Sequence, residues 1–326
     1  MSLSHTELRP SPARATSPSV AVLVPCYNEA KTIADVVESF RRSLPDARIY
    51  VYDNNSSDGT ADIARQAGAI VRSERRQGKG YVVRRMFADV DADIYLLVDG
   101  DATYDADAAP RLIGELLSGP YDKVNAARVH QSVKAYRAGH VFGNKLLSGL
   151  VSSIFGAHSR DMLSGYKALS RRFVKSFPAA SVGFEIETEL LVHALDLDAP
   201  MSEIDADYRE RPPGSASKLS TLKDGFRILG LIFHLVRDLL PLQFFSLIGA
   251  LLIFLSVAVG IPVVLEFAAT GLVPRLPTAV LAVGLMIVGV ISIFAGLILD
   301  SVAKGRRETK LLAYLAHAPA SGDPLN

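Results

Sequence analysis

Two carboxylates, Asp99 and Asp101, stand two residues apart at the end of an apolar run. Hard anionic oxygens of this kind suit Mg²⁺ or Mn²⁺, and such an ion is usually completed by the phosphates of a substrate. The chemistry this implies is a metal-assisted transfer involving a phosphorylated substrate. A bare Asp-x-Asp is equally a solvated acidic turn ahead of a helix, so the motif takes its meaning from its surroundings. Two further polar clusters supply them: Pro25-Cys26-Tyr27-Asn28-Glu29 and Asp53-Asn54-Asn55-Ser56-Ser57-Asp58-Gly59-Thr60.

Each cluster follows a short apolar segment. Val20 to Val24, Ile49 to Tyr52 and Ile94 to Val98 read as buried parallel strands. Between them, Lys31 to Leu44 has helical spacing, with Ile33, Val36, Val37 and Phe40 on one face. A helix follows from Thr60 to about Ala67, then a short strand at Ala69 to Val71. Gln77-Gly78-Lys79-Gly80 precedes another helix, to about Asp89. This alternation predicts an α/β fold with a doubly wound parallel sheet. In such sheets ligands bind beyond the carboxyl ends of the strands. The three polar clusters would therefore converge on one crevice.

VLVPCYNEA, VYDNNSSDGT and LVDGDATYD resemble the three donor-site motifs of family 2 glycosyltransferases. Asp161-Met162-Leu163-Ser164-Gly165-Tyr166-Lys167-Ala168-Leu169-Ser170-Arg171 is similar to the acceptor-side motif of the polyprenyl-phosphate branch, which includes dolichyl-phosphate mannose synthase. The resemblance runs from about residue 20 to 240. It implies a GT-A (Rossmann-like) catalytic domain and a nucleotide-sugar donor, UDP- ahead of GDP-. It also implies a polyprenyl phosphate acceptor, an inverting transfer of one sugar, and homo-oligomers formed through the membrane region. By the same resemblance Pro25, Tyr27, Asn28, Glu29 and Asp53 line the nucleoside pocket. Asp99, Gly100 and Asp101 face the diphosphate, with Asp99 and Asp101 as ligands of Mg²⁺ or Mn²⁺. Relatives often carry two consecutive Asp after the second strand. Here they are Asp53-Asn54, which bears on base recognition.

The acceptor would be an anion attacking beside another anion, so the site needs cations. Arg128, Lys134, Arg137 and Lys218 are the candidates, with Ser164 of the acceptor-side motif beside them. Lys218 follows Pro213-Gly214-Ser215-Ala216-Ser217, which resembles a family loop that closes over the site. Lys79 is a candidate diphosphate contact, although its surroundings lack the Gly-x4-Gly-Lys-Ser/Thr phosphate-loop spacing. Glu185 reads either as an acid facing the sugar or acceptor, and so catalytic with Asp101 and Arg128, or as a helix-start residue favoured by the dipole. Asp161 is a weaker candidate for that face. Asp105 either supplements the metal site or caps a helix beginning near Ala106.

The 326-residue chain has a net charge of +1, which implies no nucleic-acid partner. Its one cysteine, Cys26, excludes an intrachain disulfide and fits a reducing compartment. Residues 1–19 read as a disordered tail and 20–220 as the glycosyltransferase domain. Residues 221–240 read as an interfacial amphipathic helix, and Ala135 to Ala157 as a second one. Within 241–300, Leu242 to Leu265 and Pro277 to Leu299 are each long enough to cross a hydrocarbon core of about 30 Å. These form a C-terminal two-helix transmembrane hairpin, with Pro262 as a kink and Gly284, Gly289, Ala295 and Gly296 as close-contact positions. Residues 301–326 read as a cytoplasmic tail. Bases flank the outer ends (Lys218, Lys223, Arg227, Arg237; Lys304, Arg306, Arg307, Lys310), while the connecting loop holds only Arg275. The positive-inside rule then puts both termini and the catalytic domain in the cytoplasm.

Three other readings compete. Asp99-Gly100-Asp101-Ala102-Thr103 resembles the Asp-x-Asp-x-Thr loop of Mg²⁺-dependent phosphatases, but that loop normally ends the first strand of its domain. A glycosyltransferase extending a saccharide commonly carries a Gln/Arg-x-x-Arg-Trp signature, and this chain has no tryptophan. An inactive nucleotide-sugar-binding scaffold fits poorly with an intact acidic pair.

Overall fold

The computed structural model describes residues 17–130, 161, 164–183, 185–209, 230, 233 and 236–320. Strand β1 (Val20–Cys26) alternates its side chains between two apolar layers. Val22, Val24 and Cys26 enter one layer, and Ala21 and Leu23 enter the other. On one side of it lie β2 (Arg48–Asp53) and then β3 (Ile70–Ser73), both parallel to β1. On the other side lies β4 (Ile94–Leu97), also parallel. The chain thus reverses its direction of strand addition at β1 and β4, which makes the space beyond their carboxyl ends the switch-point crevice.

The sheet is not wholly parallel. β5 (Lys123–His130), β6 (Lys167–Ser170) and β7 (Met201–Tyr208) complete the order β3-β2-β1-β4-β6-β5-β7. β6 runs antiparallel to both β4 and β5, pairing Leu97 with Lys167. The reversal has a use. An antiparallel strand begins where its parallel neighbours end, so the residues just before β6 sit over the crevice.

Helices cover both faces. One layer holds α1 (Ile33–Ser43), α2 (Thr60–Gln66), a 3-10 turn (Ala106–Ala108) and α4 (Ala109–Ser118). The apolar face of α1 is Ile33, Val36, Val37 and Phe40, as its spacing predicts. The other layer holds α3 (Lys79–Asp89), α5 (Arg171–Ser176) and α6 (Ile186–Asp196). His193 of α6 is buried there between the rings of Phe173 and Phe177, with Nε2 3.0 Å from Ser176 Oγ. Burial pushes its pKa down to about 3, so it is a neutral core residue.

Two long helices follow: α7 (Pro241–Thr270) and α8 (Leu276–Leu315). Both are long and apolar enough to cross a membrane. Their large side chains face outward, Phe254 being 70% exposed, unlike those of a soluble protein's core helix. They pack as an antiparallel hairpin. A Cβ on Gly249 would lie 2.7 Å from the Gly289 carbonyl, and one on Gly296 would lie 3.0 Å from Phe245 Cβ. Of the predicted close-contact glycines, Gly289 and Gly296 are used; Gly284 has open space around it. Ser256 Oγ donates to the Ala282 carbonyl at 2.7 Å. Pro262 lies inside α7.

Beyond residue 300, where the sequence reads as a tail, α8 continues unbroken to Leu315 and docks on the α/β domain. Tyr314 is buried in the second apolar layer, and its hydroxyl donates to Asp122. Arg172 stacks over the Tyr314 ring and forms a two-pronged bond to Asp122, at 2.5 and 2.6 Å. Lys310 pairs with Asp196 at 2.9 Å and Arg307 with Asp198 at 2.6 Å. The two expected interfacial helices, at 135–157 and in most of 221–240, lie outside the described residues, as does most of the N-terminal segment.

Candidate active site

The loops after β1 and β2 are laced together by side chain to backbone bonds. The Asn28 amide donates to Ser56 Oγ at 2.8 Å, and the Ser57 amide to Asn28 Oδ1 at 2.9 Å. The Ala30 amide donates to Asp58 at 3.0 Å and the Glu29 amide to Thr60 Oγ1 at 2.9 Å. Thr32 Oγ1 joins the third loop by donating to the Gly100 carbonyl at 2.8 Å. Asn28, Asn55 and Ala102 all have positive φ. Left-handed backbone is costly for alanine, and its presence between Asp101 and Thr103 marks strain stored at the loop.

Asp53 is buried at the end of β2. Its Oδ2 accepts from the Ser56 amide at 3.2 Å, while Oδ1 has no partner among the described residues. A buried acceptor left open is a place for a ligand donor. Asn54 has a different task. Its amide nitrogen donates to the carbonyls of Glu74 and Arg76 at 2.9 and 2.7 Å, and its oxygen accepts from the Gly78 amide at 2.7 Å. Both amide hydrogens are consumed in bracing the 74–78 loop against β2. Pro25 is half-buried at the end of β1, Glu29 is buried, and Tyr27 is exposed at the mouth.

Asp99, Gly100 and Asp101 follow β4. Gly100 is required by space, since a Cβ there would lie 2.6 Å from Cys26 Sγ. Gly165, just before β6, faces Asp99 so closely that a Cβ would lie 2.1 Å from Oδ2. The Gly165 amide donates to Tyr104 Oη at 2.7 Å, which fixes that approach. Asp101 is buried and accepts from Thr103 Oγ1 at 2.6 Å.

Three more charges complete the cluster. Lys79, at the start of α3, lies 2.5 Å from Asp99 Oδ1 and 2.7 Å from Glu187 Oε1. Glu187 Oε2 pairs with Lys167 of β6. Burial opposes the charge on Lys79, but Asp99 and Glu187 overcome it and hold the ammonium protonated. Burial likewise opposes the charge on Glu187, yet Lys167 and Lys79 bring its pKa down to about 2. Burial pushes Asp99 up, with Asp101 and Glu187 adding repulsion against the pull of Lys79. Among the described residues Asp99 and Glu187 are paired with Lys79 and Lys167, and Asp101 lies two residues from Asp99 at the same strand end. The Asp99-x-Asp101 pair offers the hard oxygen donors that a divalent cation takes. Among the described residues no group of three His, Cys, Asp or Glu side chains forms a metal cluster. The donor set is instead the incomplete, carboxylate-poor kind that Mg²⁺ or Mn²⁺ shares with substrate phosphates.

The remaining candidates are placed as follows. Arg128 of β5 is held by Asp161 through two bonds, at 2.6 and 2.7 Å, and its guanidinium lies over Tyr208. Ser164 is buried and exchanges its hydroxyl with the backbone of Tyr166. Glu185 sits at the N-cap of α6 without a capping bond, half-buried, and it is Glu187 that enters the charge cluster. Asp105 precedes the 3-10 turn without capping it and pairs with Arg209 at 3.1 Å. Lys134, Arg137 and Lys218 lie outside the described residues.

Glu187 and Lys167 are the site residues that motif reading missed. Each left a signal. Glu187 stands three, four and seven residues before Leu190, Leu191 and Ala194, on the apolar face of its helix. Lys167 opens a strand whose four residues are all buried.

The profile of glycosyl transferase family 2 matches residues 21–176. The chain is 33% identical to glycosyltransferase AglJ of Haloferax volcanii over 298 residues, covering 90% of this chain and 96% of that one. The chain belongs to glycosyl transferase family 2. It is thus a glycosyltransferase with the GT-A fold. It is also similar to a dolichyl-phosphate hexose transferase of the same organism, at 27% identity over 60% of this chain and 85% of that one. Among solved structures it resembles glucosyl-3-phosphoglycerate synthase from Mycobacterium tuberculosis in complex with Mn²⁺ and UDP-glucose. That match has a TM-score of 0.55 and 26% identity, and covers 67% of this chain and 79% of that one. Membership of the family sets aside the phosphatase reading of Asp-x-Asp-x-Thr: Asp99 follows the fourth strand in chain order, beside the switch point.

Proposed function

We propose that this glycosyltransferase moves one sugar from a nucleotide sugar, UDP-linked in preference to GDP-linked, to a polyprenyl phosphate at the cytoplasmic face of the membrane. The observation that carries the reading is the crevice itself. An open buried acceptor on Asp53, an Asp99-x-Asp101 pair and the Lys79 ammonium face one switch point, on a chain that ends in two membrane-length apolar helices. The similarity to a dolichyl-phosphate hexose transferase supports the lipid acceptor. The UDP-glucose and Mn²⁺ bound by a related fold support the donor and the ion.

In this reading Asp53 Oδ1 accepts a hydrogen bond from the base or ribose, and Tyr27 and Glu29 wall the nucleoside. Asp99 and Asp101 would hold the divalent ion, which when bound supplies Lewis-acid stabilisation of the leaving diphosphate. Lys79 adds a fixed positive charge beside the same diphosphate, within a site already organised before the donor arrives. The acceptor phosphate oxygen forms a bond to the anomeric carbon on the face opposite the breaking carbon–oxygen bond, which inverts the configuration. That oxygen is already anionic at neutral pH, so no side chain has to remove a proton. Glu187, held ionised between two lysines, serves charge balance. Arg128, with Lys134, Arg137 and Lys218, would position the acceptor phosphate. Residues 20–220 would form the catalytic unit, 221–240 an interfacial helix and 241–300 the membrane hairpin.

The test is a transfer assay in detergent with undecaprenyl phosphate and a panel of UDP- and GDP-sugars, run with Mg²⁺, Mn²⁺ or chelator, beside Asp101→Ala. The expected result is a glycosylated lipid phosphate from one donor, formed only with metal and reduced at least about a hundredfold in the variant. Phosphate release from small phosphomonoesters, without transfer from any donor, would overturn the reading.

A further inference from the structure

Lys167 touches no part of the open crevice. It is 1% exposed, and its ammonium contacts the Ser164 carbonyl and Glu187 Oε2. Yet both contacts lead to Asp99. Through Glu187 it reaches Lys79, which lies against Asp99 Oδ1. Through Ser164 it fixes the turn carrying Gly165, whose backbone approaches Asp99 Oδ2 from the other side. We propose that Lys167 is a positioning residue for the donor diphosphate, acting through Glu187 and Lys79. This rests on the nucleotide-sugar reading of the crevice.

The electrostatics give it a definite task. A buried carboxylate must be paired, because an isolated charge at low dielectric is strongly disfavoured. Glu187 has two oxygens and two ammonium neighbours. Lys167 bonds to Oε2, and Lys79 is shared, 2.7 Å from Oε1 and 2.5 Å from Asp99 Oδ1. With Lys167 in place, Lys79 is only partly claimed by Glu187 and remains aimed at Asp99. Without Lys167, Glu187 would have Lys79 as its one ion-pair partner among the described residues and would draw it inward. Asp99 and an incoming diphosphate would then lose their fixed positive charge. Lys123, buried on the neighbouring strand, feels both Lys167 and Glu187 through space but forms no hydrogen bond or ion pair with Glu187 among the described residues, and burial pushes its pKa down to about 7, so it is a weaker partner than Lys167.

The proposal separates charge balance from simple packing. Lys167→Met should weaken binding of a nucleoside diphosphate with Mn²⁺ by about tenfold, a difference of about 1.4 kcal/mol. Adding Glu187→Gln removes the carboxylate that draws Lys79 away, so the double variant should bind within about threefold of the unmodified protein. Lys167→Arg keeps the charge and should also bind within about threefold. The measurement is isothermal titration of UDP and of GDP into the full-length protein in detergent. Unmodified protein that binds neither nucleotide would sink the donor reading itself. Unmodified protein that binds one of them, with Lys167→Met binding equally well, would sink this proposal alone. A double variant weaker than Lys167→Met would do the same. If Lys167→Met does not fold, the double variant, which buries no unpaired charge, and Lys167→Arg decide: binding near the unmodified value supports the proposal, and a tenfold loss in either overturns it.

Discussion

Asp53 and Asn54 are adjacent, yet only Asn54 is wholly taken up by backbone. The difference lies in their partners: Asn54 is saturated by the 74–78 loop, and Asp53 keeps an oxygen with no partner among the described residues. A sequence places both at a strand end, but it does not say which of two neighbours turns inward. The same limit hid Glu187 and Lys167, whose partners lie far along the chain, and the pairing of Arg128 with Asp161, 33 residues apart. Asp99 and Asp101 stood out in the sequence as paired acids at a strand end, and Lys79 as a base between two glycines at a helix start, but the contact of Lys79 with Asp99 and Glu187 left no local mark. Lys123 gives the test at this scale. Burial, helped by Lys167, pushes its pKa from 10.5 down to about 7. Between those values the unfolded chain holds a proton that the folded one lacks, so this group's contribution to stability rises with pH. Its penalty is full below about pH 7 and gone above about 10.5. Lys123→Met, close in shape, should therefore raise the melting temperature at pH 6, and the gain should shrink as the pH approaches 10. Thermal unfolding across that range checks it; a gain that does not depend on pH would refute the assignment.

At the scale of elements, periodicity located β1 to β4 and the helices between them, and the buried face of α1 agrees with its spacing. It did not reveal the reversal of β6, because a four-residue buried strand carries no mark of direction. Nor did it extend α8. The bases that signal topology also read as a solvated tail, and only Asp196, Asp198 and Asp122, far earlier in the chain, show that residues 301–315 dock. Tyr314→Ala removes a buried ring and should cost about 3 kcal/mol. It should leave UDP binding within about twofold, since the crevice lies at the other end of the strands. Denaturation in detergent and nucleotide titration measure the two effects separately. Equal stability would mean that α8 does not dock.

For the whole molecule, α8 joins the apolar hairpin to the α/β domain as one continuous rod of about 60 Å at about 1.5 Å per residue. The sequence supplied both hydrophobic segments and a charge asymmetry, and the latter predicts which side each end occupies. Leu272 lies in the exposed turn between α7 and α8. Leu272→Cys should be labelled in intact cells by a thiol reagent that cannot cross the membrane. Labelling only after lysis would invert the proposed orientation.

That experiment is clean because the native thiol is hidden, and its hiding place is informative. Cys26 lies beneath Gly100, where the end of the first strand, with Val24, supports the acidic loop. No bulky probe can reach that sulfur while the loop is seated. Its rate of alkylation is therefore a clock for how often the Asp99–Thr103 loop lifts, a native reporter that needs no engineered label.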